Sequence, residues 1–106
     1  MWVYYKFIIM TEKLKDIKNL IAEGSTDHAI DQLNQFINQN PEYASEAYYL
    51  LGNAFRKKGD WQGALNNYQE AIALNPESPA AEARWIFLTF TIKICLINKV
   101  IDLWLK

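Results

Sequence analysis

Residues 48–76 read YYLLGNAFRKKGDWQGALNNYQEAIALNP, and their regular spacing is the clearest structural signal in the chain. Apolar side chains recur in it at helical spacing in two stripes, the first made of Leu50, Leu51, Ala54 and Phe55 and the second of Ala64, Leu65, Tyr68, Ala71 and Ile72. Between the stripes, Gly59 tolerates a left-handed helix end and Asp60 is a favoured N-cap. Pro76 ends the second helix, because the residue before a proline avoids the α region. The stretch is therefore predicted to form two antiparallel helices joined by a tight turn.

The same spacing matches a known repeat pattern, in which W-x2-L-G-x2-Y, A-x3-F and P follow one another at fixed distances. The successive positions of that pattern are filled by Tyr48, Leu51-Gly52, Phe55, Ala64, Tyr68, Ala71 and Pro76. The stretch therefore resembles a tetratricopeptide repeat, of the type found in small bacterial proteins. The resemblance implies an all-α fold in which antiparallel helix–turn–helix units stack as an α-solenoid, and it implies protein or peptide binding rather than catalysis. Gly52 and Ala64 are small where the two helices must approach closely, whereas the pattern requires no small residue at Gly63, in the first turn of the second helix. Buried positions between the helices are expected at Leu51, Phe55, Ala64 and Tyr68.

A second and weaker unit precedes this one. Asn40-Pro41 parallels Asn75-Pro76, and the two prolines lie 35 residues apart, one more than the usual period. The first helix of the weaker unit lacks the aromatic residue and the leucine–glycine pair, as expected of a terminal repeat whose outer face meets water. These parallels predict four helices, at residues 11–23, 26–39, 45–58 and 61–74.

The chain divides into three parts on this basis. A helical domain of the tetratricopeptide type is expected at residues 10–84, with a degenerate repeat at 10–43, a strong repeat at 45–78, and the start of a third helix pair or a capping helix at 79–84. An atypical aromatic and β-branched extension, MWVYYKFII, precedes it at residues 1–9. An apolar segment that is nearly free of acidic residues follows at 85–106.

The apolar C-terminal segment has contradictory signals. Residues 88–95 alternate between apolar and polar with a period of two, which predicts a strand, whereas Asn98 and Asp102 share one helical face. With permitted codons, a one-base shift over residues 85–99 produces a polar-aromatic helix end followed by a stop codon. One hypothesis is therefore an out-of-frame ending, and the alternative is a native capping helix. By similar reasoning, Met10 is a natural start, and residues 1–9 are interpreted as translated upstream sequence.

Composition and charge limit the function further. The chain has 106 residues, 51% of them hydrophobic, and a net charge of −1, so it has room for one core and no overall attraction to nucleic acid. The single cysteine, Cys95, cannot form an internal disulfide and is expected to be a small buried hydrophobe. The single histidine, His28, is placed near a helix start and at the surface. No catalytic set, phosphate loop or metal site is recognisable, so neither an enzyme nor a cofactor is expected.

Residues 85–105 are long enough to span a bilayer and carry a tryptophan near each end. However, Lys93, Lys99 and Asp102 interrupt them, and each charge near the centre of a span costs about 2.5–3.5 kcal/mol. We therefore expect a soluble cytoplasmic protein. The alternative is a membrane-associated protein of the same repeat type, held by residues 85–106.

The resemblance also implies a groove lined by the first helix of each repeat. Its positions fall on Glu46, Tyr49, Asn53, Arg56 and Lys57 in the strong repeat and on Lys18 in the degenerate one. Asn53 stands where relatives that clamp a C-terminal carboxylate carry an asparagine, but Tyr49 replaces the clamp lysine, so a chaperone-tail clamp is not expected.

Two interpretations of the basic run at residues 56–58 stay open. It is either a solvated helix end, favourably placed against the helix dipole, or an anchor for an acidic peptide. Tyr49, Asn53, Arg56 and Lys57 share one helical face, and that mixture of an aromatic, an amide and two cations suits an extended acidic or C-terminal peptide. The function expected is a protein-interaction scaffold or adaptor with an unidentified protein or peptide ligand, and self-association is a further option.

Overall fold

The computed structural model describes residues 2–105, and every element in this part of the chain is helical. The elements in order are α1 (Trp2–Glu23), α2 (Thr26–Gln39), a 3₁₀ turn (Pro41–Tyr43), α3 (Ala44–Lys58), α4 (Trp61–Leu74) and α5 (Ala80–Leu105). Helices α1 and α2 form one hairpin, α3 and α4 form the next, and α5 packs on α4. The all-α repeat fold predicted from the sequence is therefore confirmed.

Glycine makes both tight turns possible. Gly24 and Gly59 have φ angles of 94° and 91°, in the left-handed region that glycine adopts without strain. After the second turn, the Asp60 carboxylate accepts a hydrogen bond of 3.0 Å from the backbone N–H of Gly63 and so caps α4. Helix α4 ends at Leu74, just before Asn75-Pro76. The predicted bounds of the middle helices agree with the structure to within one residue.

Two apolar clusters hold the hairpins together. The larger one joins α1, α2 and α3 through the buried side chains of Ile17, Ile21, Ala29, Leu33, Phe36, Ala47, Leu50, Leu51 and Ala54. The smaller one joins α4 to the first turn of α5 through Ala64, Tyr68, Ala71 and Ala80. The ring of Tyr68 lies directly against Gly52, so the missing side chain at Gly52 lets α3 and α4 approach, as predicted.

Two expectations about the α3–α4 contact were wrong. Phe55 was expected to be buried, but it is half-buried, because its ring lies at the edge of both clusters rather than inside either one. Gly63 was expected to need no small side chain. A Cβ there would lie 2.8 Å from Asp60 Oδ2 and 3.0 Å from Phe55 Cδ1, so the capping carboxylate itself makes that position crowded.

Residues 2–9 of the N-terminal extension are helical and belong to α1, which begins at Trp2 and runs without interruption to Glu23. A helix that is already nucleated gains one hydrogen bond for each residue it adds, which offsets the weak helix preference of β-branched and aromatic residues. Lys6 Nζ lies 2.8 Å from Glu42 Oε1, so the start of α1 reaches the turn that follows α2. Most of its large apolar side chains nevertheless face solvent.

Helix α5 starts within residues 79–84 and continues far beyond them. Ser78 Oγ accepts a hydrogen bond of 3.2 Å from the Ala80 N–H, and α5 follows. Residues 88–95 are helical, so the strand indicated by their alternation is wrong. The helix that starts in the alanine-rich turn at residues 80–83 simply continues, and no neighbouring strand exists within residues 2–105 to pair with this segment.

Beyond its first turns, α5 has little to pack against. Among the described side chains from Trp85 onward, only that of Thr89 is partly buried, and the others are exposed. Cys95 is therefore exposed, and the expectation that it is buried was wrong: its side chain is apolar, but no other helix of residues 2–105 covers it. Across residues 2–105, no helix combines the length and the apolar character that crossing a membrane requires.

Candidate functional site

An open groove lies between α1 and α3 and contains a cavity of about 500 Å³. It is lined by Lys18, Ile21, Ala22, Leu50, Asn53, Arg56, Lys57 and Trp61. Most of these residues come from the C-terminal halves of the two first helices, and Trp61 comes from the start of α4. The groove is thus formed by both repeats and would not exist in either hairpin alone.

Helical spacing explains how these side chains come together. On α1, Ile21 and Ala22 follow Lys18 by three and four residues, which places all three on one face. On α3, Leu50, Asn53 and Arg56 follow one another at intervals of three. Ile21 and Leu50 are buried in the larger cluster and form an apolar floor, while the longer polar side chains rise around it.

Lys57 connects the two walls of the groove. Its Nζ donates a hydrogen bond of 2.7 Å to the backbone carbonyl of Ala22 in the last turn of α1, where unpaired carbonyls carry partial negative charge. The next residue, Lys58, turns away from the groove and lies 2.7 Å from Asp27 Oδ1 on α2. Both lysines therefore hold neighbouring helices together, in addition to any role in binding.

Among the three cations that line the groove, Arg56 and Lys18 lack such a structural role. Both side chains are exposed, and within the described part of the chain no hydrogen bond or ion pair occupies either of them. Of the basic run at residues 56–58, Arg56 is thus the member left to meet a ligand. A guanidinium offers several N–H donors in a planar fork that matches a carboxylate.

Asn53 is oriented by a residue of the neighbouring helix. The hydroxyl of Tyr68 on α4 donates a hydrogen bond of 2.5 Å to Asn53 Oδ1. Burial raises the pKa of the Tyr68 hydroxyl, although nearby Arg56 opposes the increase, so the hydroxyl keeps its proton at neutral pH. The Tyr68 ring is itself held between Gly52 and Tyr49, whose ring centroid lies 6.1 Å away.

Four of the six groove residues proposed from the sequence line the cavity, namely Lys18, Asn53, Arg56 and Lys57. The other two do not. Glu46 is exposed on α3 about two turns before Asn53, and Tyr49 is half-buried against Tyr68. Sequence reasoning missed Ile21, Ala22, Leu50 and Trp61. Helical spacing from Lys18 could have identified the two residues on α1, but no pattern indicated that Trp61 would turn toward α1.

The charge around the cavity is opposite in sign to that of the surrounding domain. Residues 10–84 contain seven Lys or Arg and eleven Asp or Glu, a net charge of −4. Three of the seven basic residues line the cavity, and none of the eleven acidic residues does. Low-dielectric walls concentrate such a field, so the groove attracts negatively charged groups.

The described residues offer little for catalysis. His28 is exposed on α2, and its ring Nε2 lies 2.9 Å from Gln32 Nε2. No group of three His, Cys, Asp or Glu within the described residues could hold a metal ion. The arrangement is instead suited to binding, with an apolar floor and hydrogen-bond donors along the sides.

Comparison with known proteins agrees with this geometry. The sequence model described as "TPR repeat", the tetratricopeptide repeat, matches residues 52–81. Among solved structures, the solution NMR structure of Bacteroides fragilis protein BF1650 is 52% identical, with a TM-score of 0.71. The match covers 74% of this chain and 79% of that protein.

Two curated proteins share part of the sequence. A probable biofilm formation methyltransferase of Pseudomonas putida, WspC, is 34% identical over 71 residues, which is 67% of this chain. The cellulose synthase operon protein C of Escherichia coli is 40% identical over 58 residues, or 55% of this chain. The chain spans only 16% and 5% of the lengths of these two relatives. With the matched repeat, the paired helical hairpins and the similar solved structure taken together, the chain belongs to the tetratricopeptide repeat family, whose members serve as protein–protein interaction modules.

Proposed function

We propose that this protein acts as a scaffold or adaptor that binds an extended segment of a partner protein in the groove between α1 and α3. The observation that carries the proposal is the cavity of about 500 Å³, which both repeats line with an apolar floor and polar sides. Concave surfaces of stacked helical hairpins are the binding surfaces of such solenoids. The module itself is taken as residues 10–84, in a cytoplasmic setting.

The groove is suited to a segment rather than to a folded partner. Only α1 and α3 and the first residue of α4 contribute to it, so its length corresponds to a few residues of extended chain. The Lys57–Ala22 hydrogen bond fixes the distance between the walls before any ligand arrives. Preorganisation of this kind lowers the entropic cost of binding, although the small contact area favours modest affinity.

Catalysis forms no part of the proposal. The methyltransferase named among the relatives shares only 16% of its length with this chain, so its activity is not extended to it. The groove contains lysine, arginine and asparagine side chains but no pair of acid and base that could exchange a proton with a substrate.

A steric variant tests the groove regardless of the charge of its ligand. Ala22 is exposed, lines the cavity and contributes only a methyl group, so Ala22→Trp fills the groove without disturbing either cluster. Ala73→Trp is the matched control, because Ala73 is also exposed but lies on α4 among Asn66, Asn67, Gln69 and Glu70, away from this cavity.

Binding is measured with peptides selected from a random phage-displayed library on the intact chain. We expect their affinity to fall by about tenfold or more for Ala22→Trp, since loss of a well-packed site costs at least that factor, and to stay unchanged for Ala73→Trp. Equal affinity of the selected peptides for both variants would show that another surface is used.

A further inference from the structure

We propose that the last turns of α5 form a self-association site, at which two copies of this chain pair with their α5 helices antiparallel. The contact is made by a line of side chains that we call the α5 seam, namely Ile94, Ile97, Ile101 and Trp104. The residues described as lining the groove all come from α1, α3 and α4. The inference therefore goes beyond the proposed function and does not depend on what the groove binds.

Helix α5 is much longer than the helix on which it packs. Helix α4 has 14 residues and α5 has 26. Ala80, at the start of α5, is buried with Ala71, near the end of α4, so α5 runs back along α4 from that point. Because a helix rises about 1.5 Å per residue, α5 is about 18 Å longer than α4 and extends past its start. Residues 92–105 are accordingly all exposed.

The α5 seam is the uninterrupted apolar line on this overhanging end. Its members follow one another at intervals of three, four and three residues, the spacing that aligns side chains along paired helices. Their exposed fractions in chain order are 42%, 56%, 47% and 85%. Another face of the helix is interrupted, because Lys99 stands between Leu96 and Leu103. The seam is therefore the face on which a second helix can pack without burying a charge.

The accessible surface of the chain is larger than a compact monomer of its mass requires. A folded monomer of 12.4 kDa exposes about 6,100 Å² on average, whereas this chain exposes 7684 Å². Its elongated shape and the exposed apolar side chains of α5 together produce the excess of about 1,500 Å². Each partner of a stable interface buries about 800 Å², so the excess is sufficient for one interface of that size.

The distribution of charge favours a second copy as the occupant and favours antiparallel pairing. Residues 85–106 contain three lysines and one aspartate, a net charge of +2, whereas residues 10–84 carry a net charge of −4. Antiparallel pairing brings the basic end of each α5 toward the acidic repeats of the other copy, while parallel pairing would bring the two basic ends together. Opposed helix dipoles add to the same preference.

The pairing also completes the helix arrangement of the fold. Helix α5 follows α4 as α3 follows α2, but residues 2–105 include no further helix that could form a hairpin with α5. An antiparallel α5 from a second copy supplies such a neighbour, and a patch that pairs with itself is the commonest interface of soluble oligomers. With the twofold axis near residue 99, Ile94 lies opposite Trp104, and Ile97 lies opposite Ile101, of the second copy.

Sedimentation equilibrium of the intact chain, from about 5 to 500 µM, tests the association. We expect a monomer–dimer equilibrium with a dissociation constant of about 10–100 µM, because four side chains from each copy form only a small interface. In denaturation experiments at a few micromolar, the chain is then mostly monomeric, so the seam adds little to the measured stability.

Two adjacent residues of α5 provide a matched pair of variants. Ile97 belongs to the seam and Leu96 lies on a different face of the helix, yet their exposed fractions are 56% and 57%. Ile97→Glu places a carboxylate against apolar side chains of the second copy and should raise the dissociation constant by about tenfold or more. Leu96→Glu makes the same charge change away from the seam and should alter it by less than about twofold. Circular dichroism of the monomer should be unchanged for both.

A distance measurement distinguishes antiparallel from parallel pairing. Cys95 is the single cysteine of the chain, so the double variant Cys95→Ala, Glu82→Cys carries one spin label, at an exposed position in the first turn of α5. With the twofold axis near residue 99, the two labels of an antiparallel pair lie about 50 Å apart. In a parallel pair they lie about 10–25 Å apart, because paired helix axes are separated by about 10 Å. Double electron–electron resonance measures this distance.

Three results would overturn the inference. If the chain stays monomeric at about 500 µM, the self-association site does not exist, and cosedimentation with vesicles of anionic lipid would then identify a membrane surface as the occupant of α5. If Ile97→Glu and Leu96→Glu weaken the dimer equally, the seam is not the interface. If the labels lie less than about 25 Å apart, the pairing is not antiparallel. The proposed function of the groove is tested separately by Ala22→Trp.

Discussion

Replacing Gly52 by alanine tests the packing on which the whole arrangement depends. A Cβ at this position would overlap the ring of Tyr68, whose Cγ atom lies 3.0 Å away. Because Tyr68 is 1% exposed, the ring has no free space into which it can move. Overpacking of this kind costs about 1–3 kcal/mol, and the better helix propensity of alanine offsets about 0.5–1 kcal/mol of it. We therefore expect Gly52→Ala to lower the free energy of unfolding by about 1–2 kcal/mol.

Urea denaturation followed by circular dichroism measures this change. With a slope of about 1.5–2 kcal/mol per molar urea for a domain of this size, the midpoint should fall by roughly 0.5–1.3 M. Gly63→Ala is the matched control, because its Cβ would meet the end of the Asp60 carboxylate at 2.8 Å and the half-buried Phe55 ring at 3.0 Å, rather than overlap a fully buried ring. Losing the Asp60 cap costs about 1 kcal/mol, and the better helix propensity of alanine over glycine regains most of that amount. Equal losses for the two variants would refute the register assigned to α3 and α4.

Three further changes have defined outcomes. Asp60→Ala removes the 3.0 Å cap of α4 and should lower the free energy of unfolding by about 1 kcal/mol in urea titration, whereas Asp60→Asn should retain most of it. The raised pKa of Tyr68 means that the unfolded chain loses that proton first, so stability falls as the pH rises through and above about 10. Tyr68→Phe should flatten that decline in melting temperatures measured from pH 8 to 11. Removing residues 92–106, of which 92–105 are exposed, should change the urea midpoint by less than about 0.2 M.

The middle of the fold was predictable because its signals are local. A glycine at each turn, Asp60 at a helix start and Asn75-Pro76 at a helix end fix the helix bounds through short-range sterics and hydrogen bonds. The apolar stripes then determine which faces meet. Gly52 could likewise be assigned to a close contact. A glycine inside a helix lowers the stability of that helix, so its presence indicates that a neighbouring helix needs the space.

The ends of the chain were less predictable because their structure depends on propagation and on partners. The alternation over residues 88–95 is a genuine strand pattern. However, a strand needs a second strand to satisfy its backbone hydrogen bonds, whereas a helix such as α5 forms them within itself. Helix α5 therefore continues through that pattern from its alanine-rich start. Burial of Cys95 was inferred from the apolar character of its side chain, yet burial requires another element beside it, and the described chain supplies none there.

Only part of the groove was predictable, because some of its features follow from the spacing on one helix and others from contacts between helices. Spacing on one helix places Asn53 and Arg56 on a common face, and the repeat register adds Lys18 from α1. Nothing in the spacing shows that Lys57 would donate to the Ala22 carbonyl or that the Tyr68 hydroxyl would meet Asn53, because both contacts depend on the distance between helices. These contacts determine which groups are left for a ligand, so the chemistry of the groove emerges only from the assembled hairpins.

We propose that the groove between α1 and α3 binds a segment of a partner protein, and an NMR titration of the ¹⁵N-labelled intact chain with one of the selected peptides tests this binding. We expect the largest shifts at the Asn53 side-chain Nδ2–H₂ signals and at the backbone amides of Lys18, Ala22 and Arg56, with Asn66 on α4 unaffected. Shifts confined to the outer face of α4 or to α5, with the Asn53 side-chain signals unmoved at saturation, would contradict it.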